Sequence, residues 1–268
     1  MKKVISTENK PIKMWLNDID PEAIAQARNL ANLPFTFKHI AIMPDAHCGY
    51  GMPIGGVLAT IDGVIPNGVG VDIGCGMCAV KTSITEIDRG NLKKILGSER
   101  EKRGIRGLVP VGFKHHNHPQ DENFMPDLSQ LDDVANSRVV QLYQGARKQL
   151  GTLGGGNHFI EIQHGDDGHI WLMVHSGSRN IGLKVAQYYN HAAVTLNERY
   201  HTAIPKQWDL AFLPLDSSEG RNYMAEMQYC VDFAFANRKL MIERVKEAIV
   251  DVVGSVEFKP LINIAQNS

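Results

Sequence analysis

The chain has 268 residues, 43% of them hydrophobic and 21% charged, with a formal net charge of −1. That balance suits a globular protein with a sizeable core. It excludes a global electrostatic pull toward nucleic acid or an anionic membrane, so any polyanion must meet a local basic patch.

No stretch approaches the ~18 apolar residues of a membrane span, and Met1-Lys-Lys-Val-Ile-Ser-Thr-Glu8 lacks the apolar run of a signal peptide. The four cysteines, Cys48, Cys75, Cys78 and Cys230, are too few for a disulfide scaffold. A reducing, cytoplasmic setting is expected. No internal repeat or low-complexity tract divides the chain.

In chain order, Asp20-Pro21 reads as N-cap and first residue of a helix running to about Leu33, where Pro34 stops it. His39–Met43 and Gly56–Ile61 read as strands. The stretch from Asp45 to Gly76 carries nine glycines, so much of its backbone is free to adopt positive φ or to approach a ligand closely. Ile87–Leu96 reads as a short helix. Lys102–Asp132, with several prolines and Lys114-His-His-Asn-His118, reads as a long functional loop or lid. Its histidines are expected to be solvated.

Phe159–Gln163 and Ile170–Val174 read as two strands of a hairpin. If Gly165-Asp-Asp-Gly168 is the loop, His164 faces His169 and His158 falls opposite His175, with Cβ atoms about 4.5–5.5 Å apart. The same register places Ile160, Ile162, Met173 and Trp171 on that face. A slip of one residue would separate the two histidines. Leu183–Tyr200 and about Ser218–Val253 have helical periodicity, with Gly254 as the stop of the second. Ser176, Ser178 and Arg179 precede the first of these helices, a place suited to an anion.

Asp72, Cys75, His158 and His175 supply a carboxylate, a thiolate and two imidazoles. Taken singly, each has an ordinary alternative: a turn carboxylate, a buried thiol, a histidine satisfied by backbone. All four, however, stand at the ends of glycine-rich loops, where glycine costs stability unless backbone freedom is needed. Shared placement points to a common site for one or two divalent ions. Cys75-Gly-Met-Cys78 has no partner pair to complete a zinc site, and Cys78 is expected to be structural. Gly154-Gly-Gly is followed by a strand, which argues against a phosphate loop. Gly49-Tyr-Gly51-Met-Pro-Ile-Gly55 misses the dinucleotide spacing. Asp45 and His47 are candidates for supporting or substrate-contacting roles.

Four motifs in order, Met43-Pro-Asp-Ala-His-Cys-Gly-Tyr-Gly51, Val69-Gly-Val-Asp-Ile-Gly-Cys-Gly76, Leu153-Gly-Gly-Gly-Asn-His-Phe-Ile-Glu161 and Val174-His-Ser-Gly-Ser-Arg-Asn-Ile-Gly182, resemble the RtcB family of RNA ligases. The likeness starts near Thr7-Glu-Asn-Lys-Pro-Ile-Lys-Met-Trp15. It implies an α+β fold, with mixed sheets and long helices around a deep metal-binding cleft. The chain is expected to form a single domain, the N-terminal portion of the family's catalytic domain. The implied cofactors are two Mn²⁺ ions and GTP. The implied reaction joins an RNA 3′-phosphate or 2′,3′-cyclic phosphate to a 5′-hydroxyl, as on tRNA halves.

By the same resemblance, Asp72 and His158 would hold one ion, His175 the other, and Cys75 would bridge. Asn157, His158, Phe159, Ile160 and Glu161 would line the guanylate site, and Arg179 would contact phosphate, with Asp45 and His47 as further RNA contacts. Gln266, within Leu261-Ile-Asn-Ile-Ala-Gln-Asn267, stands where the family has a further histidine ligand. The histidine that the family guanylylates is not among these 268 residues, so completion of ligation by this chain alone is not expected. The alternatives are a metal-dependent cyclic phosphodiesterase that needs no GTP, and a non-catalytic metal- or RNA-binding protein.

Overall fold

The computed structural model describes residues 1–131 and 134–266. Asp132, at the end of the expected loop, and Asn267, in the segment holding Gln266, lie outside the described residues.

In chain order the elements are β1 (Lys3–Ile5), β2 (Ile12–Met14), α1 (Pro21–Ala31), β3 (Thr36–His47), β4 (Ile54–Thr60), β5 (Gly63–Val64), α2 (Pro66–Val69), β6 (Gly76–Lys81), α3 (Arg89–Leu96), α4 (Gly104–Leu108), α5 (Arg138–Gln149), β7 (Phe159–His164), β8 (Ile170–Ser176), α6 (Arg179–Arg199), β9 (Leu213–Pro214), α7 (Ser218–Val253) and β10 (Ile262–Ala265). This is a mixed α+β fold. Its contacts divide into two compact units: Met1–Val71 with Ala186–Met224, and the described part of Asp72–Val185 with Ala225–Ser268. No helix among the described residues is long and apolar enough to cross a membrane.

In the first unit, β1-β2-β3-β4 form a sheet in which β2 and β3 run parallel and the outer pairs antiparallel. Alternation places Ile12 and Met14 of β2, and Ile40 and Ile42 of β3, in a core with Ala27, Leu30 and Ala31 of α1. Helix α1 stops at Ala31, two residues before the expected end. Leu33 precedes Pro34, which disfavours helical backbone there, and Leu33 N–H instead donates to Leu30 O at 3.3 Å in a tighter turn.

In the second unit, β10-β6-β8-β7 form an antiparallel sheet. One face presents Cys78, Val80, Ile170, Leu172 and Val174 to Met241, Ile242, Val245 and Ile249 of α7, with Ile160 and Ile162 packed against the same core. Removing one such side chain to alanine costs roughly 2–5 kcal/mol, so strand and helix faces are strongly specified. Cys78 lies in this core, and burial pushes its thiol up to about 12.

The hairpin register differs from the sequence expectation by one residue. Phe159, not His158, pairs with His175, and His164 pairs with Ile170. The loop has three residues, Asp166-Asp167-Gly168, rather than four. Gly165 N–H donates to His169 O at 2.8 Å, and Gly168 N–H donates to Gly165 O at 3.0 Å. Gly168 takes φ +76°, the left-handed position that closes a three-residue hairpin loop. One residue fewer in the loop exchanges the faces. Ile160 and Ile162 therefore pair with Val174 and Leu172, while Met173 and Trp171 pair with Glu161 and Gln163.

Three other expectations shift. The 102–131 region is partly regular, with α4 and 3-10 turns at Glu122–Phe124 and Leu128–Gln130 capped by Asp121 and Asp127. It is also pinned: His116 N–H and Gln120 N–H donate to Lys148 O and Arg147 O of α5. Helix α6 starts at Arg179, four residues before the expected start; its first turn, Arg-Asn-Ile-Gly182, carries one apolar side chain, Ile181, which is buried one turn before Val185. Helix α3 starts at Arg89 because the Asp88 carboxylate accepts from Gly90 N–H and Asn91 N–H.

Candidate metal centre

Cys75, His158 and His175 converge in the second unit, their ligand atoms all within 4.8 Å of one another. Cys75 Sγ lies 3.6 Å from Nε2 of each histidine. The two imidazoles stand edge to face with centroids 5.5 Å apart. Asp72 joins through Oδ2, which is 2.8 Å from His158 Nε2.

Three segments deliver these atoms. Asp72–Cys75 form a tight turn ahead of β6, in which Cys75 N–H donates to Asp72 O at 3.0 Å. That turn needs Gly74 at φ +72°; a Cβ there would also sit 2.8 Å from Val231 Cα. His175 comes from β8, opposite Phe159 in the ladder and on the face away from the apolar core. His158 comes from the turn before β7, where its N–H donates to Gly155 O at 3.4 Å. Its imidazole is aimed by that turn and not by the strand ladder. The neighbouring imidazoles expected from the hairpin are therefore present, although the register that suggested them is not.

The outer nitrogen of each ring is already committed. His158 Nδ1 lies 3.0 Å from Leu153 O, and His175 Nδ1 lies 3.0 Å from Gly76 O. A backbone carbonyl accepting from Nδ1–H leaves His175 Nε2 with its lone pair toward Cys75, the arrangement that orients histidine ligands in metal sites; His158 Nε2 donates to Asp72 Oδ2 and would present a lone pair only where a cation replaces that proton. Burial lowers the pKa of His175, which favours the neutral, ligating form. Burial also lifts the Cys75 thiol far above its ordinary value, and the Asp72 charge adds to this. Without a cation the sulfur is thus a neutral thiol; Cys75 would hold a cation as the thiolate, its proton passing to solvent. Burial alone would raise the Asp72 carboxyl, but hydrogen bonds from His158 and Cys75 outweigh it and hold the pKa below the usual carboxylate value. Soft and hard donors meeting in one buried spot fit a divalent transition metal.

The other residues singled out in the sequence are placed as follows. Phe159 lies against His175, ring centroids 5.4 Å apart. Ile160 points into the apolar core. Asn157 and Glu161 are exposed. Arg179 takes φ +60°; its Nε donates to Thr152 Oγ1 at 3.0 Å and its Nη2 to Gly112 O at 2.7 Å. Gln266 N–H donates to Cys75 O at 2.7 Å, which sets residue 266 beside the thiol-bearing turn, with its side chain exposed. Asp45 and His47 are exposed on β3 in the first unit, where His47 Nδ1 lies 3.0 Å from Asp45 O.

Sequence reading passes over Asn237 and Arg238. Both are fully buried, and both hydrogen-bond to the segments that carry the cluster. The available signal is an Asn-Arg pair in the middle of a helix whose core-facing positions are mostly apolar, Glu226 being another buried exception.

The model of the tRNA-splicing ligase RtcB family matches residues 26–268. RNA-splicing ligase RtcB of Escherichia coli strain K12 is 34% identical over 272 residues, covering 96% of this chain and 65% of that protein. tRNA-splicing ligase RtcB of Thermococcus kodakarensis is 31% identical, covering 91% of this chain and 59% of that protein. The chain thus spans 59–65% of the length of these two relatives. A family model spanning nearly the whole chain, together with a thiol–imidazole cluster assembled from its glycine-rich motifs, identifies the chain as a member of the tRNA-splicing ligase RtcB family.

Proposed function

We propose that this chain carries the metal centre of an RNA ligase that joins a 3′-phosphate or 2′,3′-cyclic phosphate end to a 5′-hydroxyl end, using Mn²⁺ and GTP, with tRNA halves as the substrate class. The convergence of Cys75, His158 and His175 beside Asp72 is the observation that carries the reading.

Asp72 and His158 are assigned to one ion, His175 to a second, and Cys75 to both. Gln266, anchored by its backbone to Cys75, would stand at the edge of the second position. Bound ions would supply positive charge at the reacting phosphate. Thiolate and imidazole suit Zn²⁺ as well as Mn²⁺, so Mn²⁺ rests on the family likeness.

The chain's own residues would do the rest. Leu153 O and Gly76 O hold the imidazoles in the ligating tautomer. Arg179, whose positive charge is felt by Asp72, would face the phosphate, while Thr152 and Gly112 hold its fork. The segment Asn157–Glu161 would line the guanylate site.

The test is incubation of RNA bearing a cyclic phosphate and RNA bearing a 5′-hydroxyl with the chain, Mn²⁺ and GTP. Mn²⁺ uptake that is lost in Cys75→Ala without joining, the outcome expected of these 268 residues alone, supports the metal centre; joining that needs both cofactors and disappears in Cys75→Ala supports a complete ligase. Opening of the cyclic phosphate with Mn²⁺ alone would support a phosphodiesterase instead. Failure of the wild-type chain to take up any divalent ion would remove the basis of both.

A further inference from the structure

We infer that Asn237 and Arg238 are positioning residues for the metal centre: from one turn of α7 they tie together the three backbone segments that carry its ligands. This rests on the metal-site reading above.

Adjacent residues on a helix point roughly 100° apart, so the two side chains reach different segments. Arg238 Nη1 donates to Gly74 O at 2.7 Å and to Ser176 O at 2.9 Å. Those carbonyls belong to the residue before Cys75 and the residue after His175. Asn237 Oδ1 accepts from Gly151 N–H at 2.7 Å and Thr152 N–H at 3.2 Å. Its Nδ2 contacts Gly177 O at 3.1 Å and Ser176 Oγ at 3.3 Å. Ser176 Oγ in turn donates to Leu153 O at 2.9 Å, the carbonyl that also holds His158 Nδ1. Through these contacts, Cys75, His175 and His158 are referred to two neighbouring positions of a single rigid helix.

The clamp is itself fixed. Asn263 Oδ1 of β10 accepts from Arg238 Nε at 2.7 Å, and the Phe235 ring lies 4.8 Å beneath the guanidinium. Arg238 is 0% exposed. A planar fork can hold two carbonyls and one amide oxygen in fixed directions, whereas an ammonium on a flexible stem cannot. Buried networks of this kind favour one geometry because a broken member is left without water to replace it. Ile73, Leu153 and Val174 bury one side chain of each segment beside its ligand; the Asn237 and Arg238 hydrogen bonds fix the backbone groups of the three segments relative to one another, and with them the Sγ–Nε2 spacing.

The test is titration of the 268-residue wild type, Arg238→Lys and Asn263→Ala with Co²⁺ and Mn²⁺. Affinity is read by calorimetry and site geometry by the thiolate-to-Co²⁺ absorption band, with folding checked by thermal melting. The expected result for folded Arg238→Lys is an affinity loss of about 10–100-fold, the usual range for outer-shell changes at metal sites, with a shifted Co²⁺ band. Asn263→Ala, which removes one anchor of the fork together with the Asn263 Nδ2 bond to Phe235 O, should lose several-fold less than that. If Arg238→Lys does not fold, Asn263→Ala decides. A folded variant with wild-type affinity and an unshifted band would overturn the inference while leaving the metal site standing. Absence of Co²⁺ and Mn²⁺ uptake by the wild type would overturn both.

Discussion

The second unit holds two groups of histidines that differ in sequence and differ oppositely in space. His115, His116 and His118 occupy three of four consecutive positions, yet their rings do not converge. His115 and His118 are exposed, while His116 Nε2 turns inward to 2.7 Å from Arg244 Nη1. His158 and His175 are separated by a whole hairpin, yet their Nε2 atoms both lie 3.6 Å from one sulfur. Nearness along the chain gives side chains a common neighbourhood but not a common direction. Ligand atoms converge when separate elements aim them, as β8 aims His175 and the turn before β7 aims His158.

The largest effect should come from removing the shared atom. Cys75→Ala is expected to weaken divalent-metal binding by more than about 100-fold, beyond the range for outer-shell changes, as read by isothermal titration calorimetry. If the variant binds as tightly as wild type, the histidine cluster is not a thiolate-centred metal site.

A moderate effect concerns His116. Burial and the adjacent Arg244 charge push its pKa down to about 4. Its ordinary value lies near 6.5, so as pH falls below that point the unfolded chain takes up a proton that the folded chain resists. This contribution to stability is fully present above about pH 6.5 and is lost as pH falls toward 4. In full a shift of this size corresponds to about 3–4 kcal/mol, which solvent around the half-buried ring screens to about 1–3 kcal/mol. Urea unfolding at about pH 7 and 4.5 should show a smaller pH-dependent loss for His116→Gln, whose amide oxygen can still accept from Arg244. Equal losses in the two proteins would place the acid sensitivity elsewhere.

The smallest effect is expected at the exposed pair. His115→Ala and His118→Ala should change Co²⁺ affinity by less than about twofold and stability by less than about 0.5 kcal/mol. A larger drop in metal affinity would bring the tract into the site and erase the contrast between the two groups.

Much of the local structure was legible in the residues. Apolar repeats located α7 from Ser218 to Val253, and alternation located β7 and β8. The donors were legible as types, because thiol, imidazole and carboxylate at the ends of glycine-rich loops have few other reasons to recur together. The hairpin register was not legible from the loop: it turned on whether Gly165 belonged to the loop or the ladder, and Gly165-Asp-Asp-Gly168 suits a three-residue loop and a four-residue one alike. The correct pairing puts Ile160 and Ile162 on the core face, opposite Leu172 and Val174, and so agrees better with burial than the pairing expected from the sequence.

By itself the sequence determined helices α1, α3, α6 and α7 and strands β3, β4, β7 and β8 to within a few residues, and which chemical groups stand at the loop ends, because each follows from short-range periodicity and backbone preference; α5, β6 and β10 it did not announce. Only the tertiary structure decided which of those groups meet. That outcome depends on hydrogen bonds between segments 60 to 164 residues apart, such as Asn237 to Gly177 and Arg238 to Gly74. The Asn-Arg pair in α7 marks itself in the sequence only as two polar residues among many on a helix rich in charges. Their function is visible only through the carbonyls they hold.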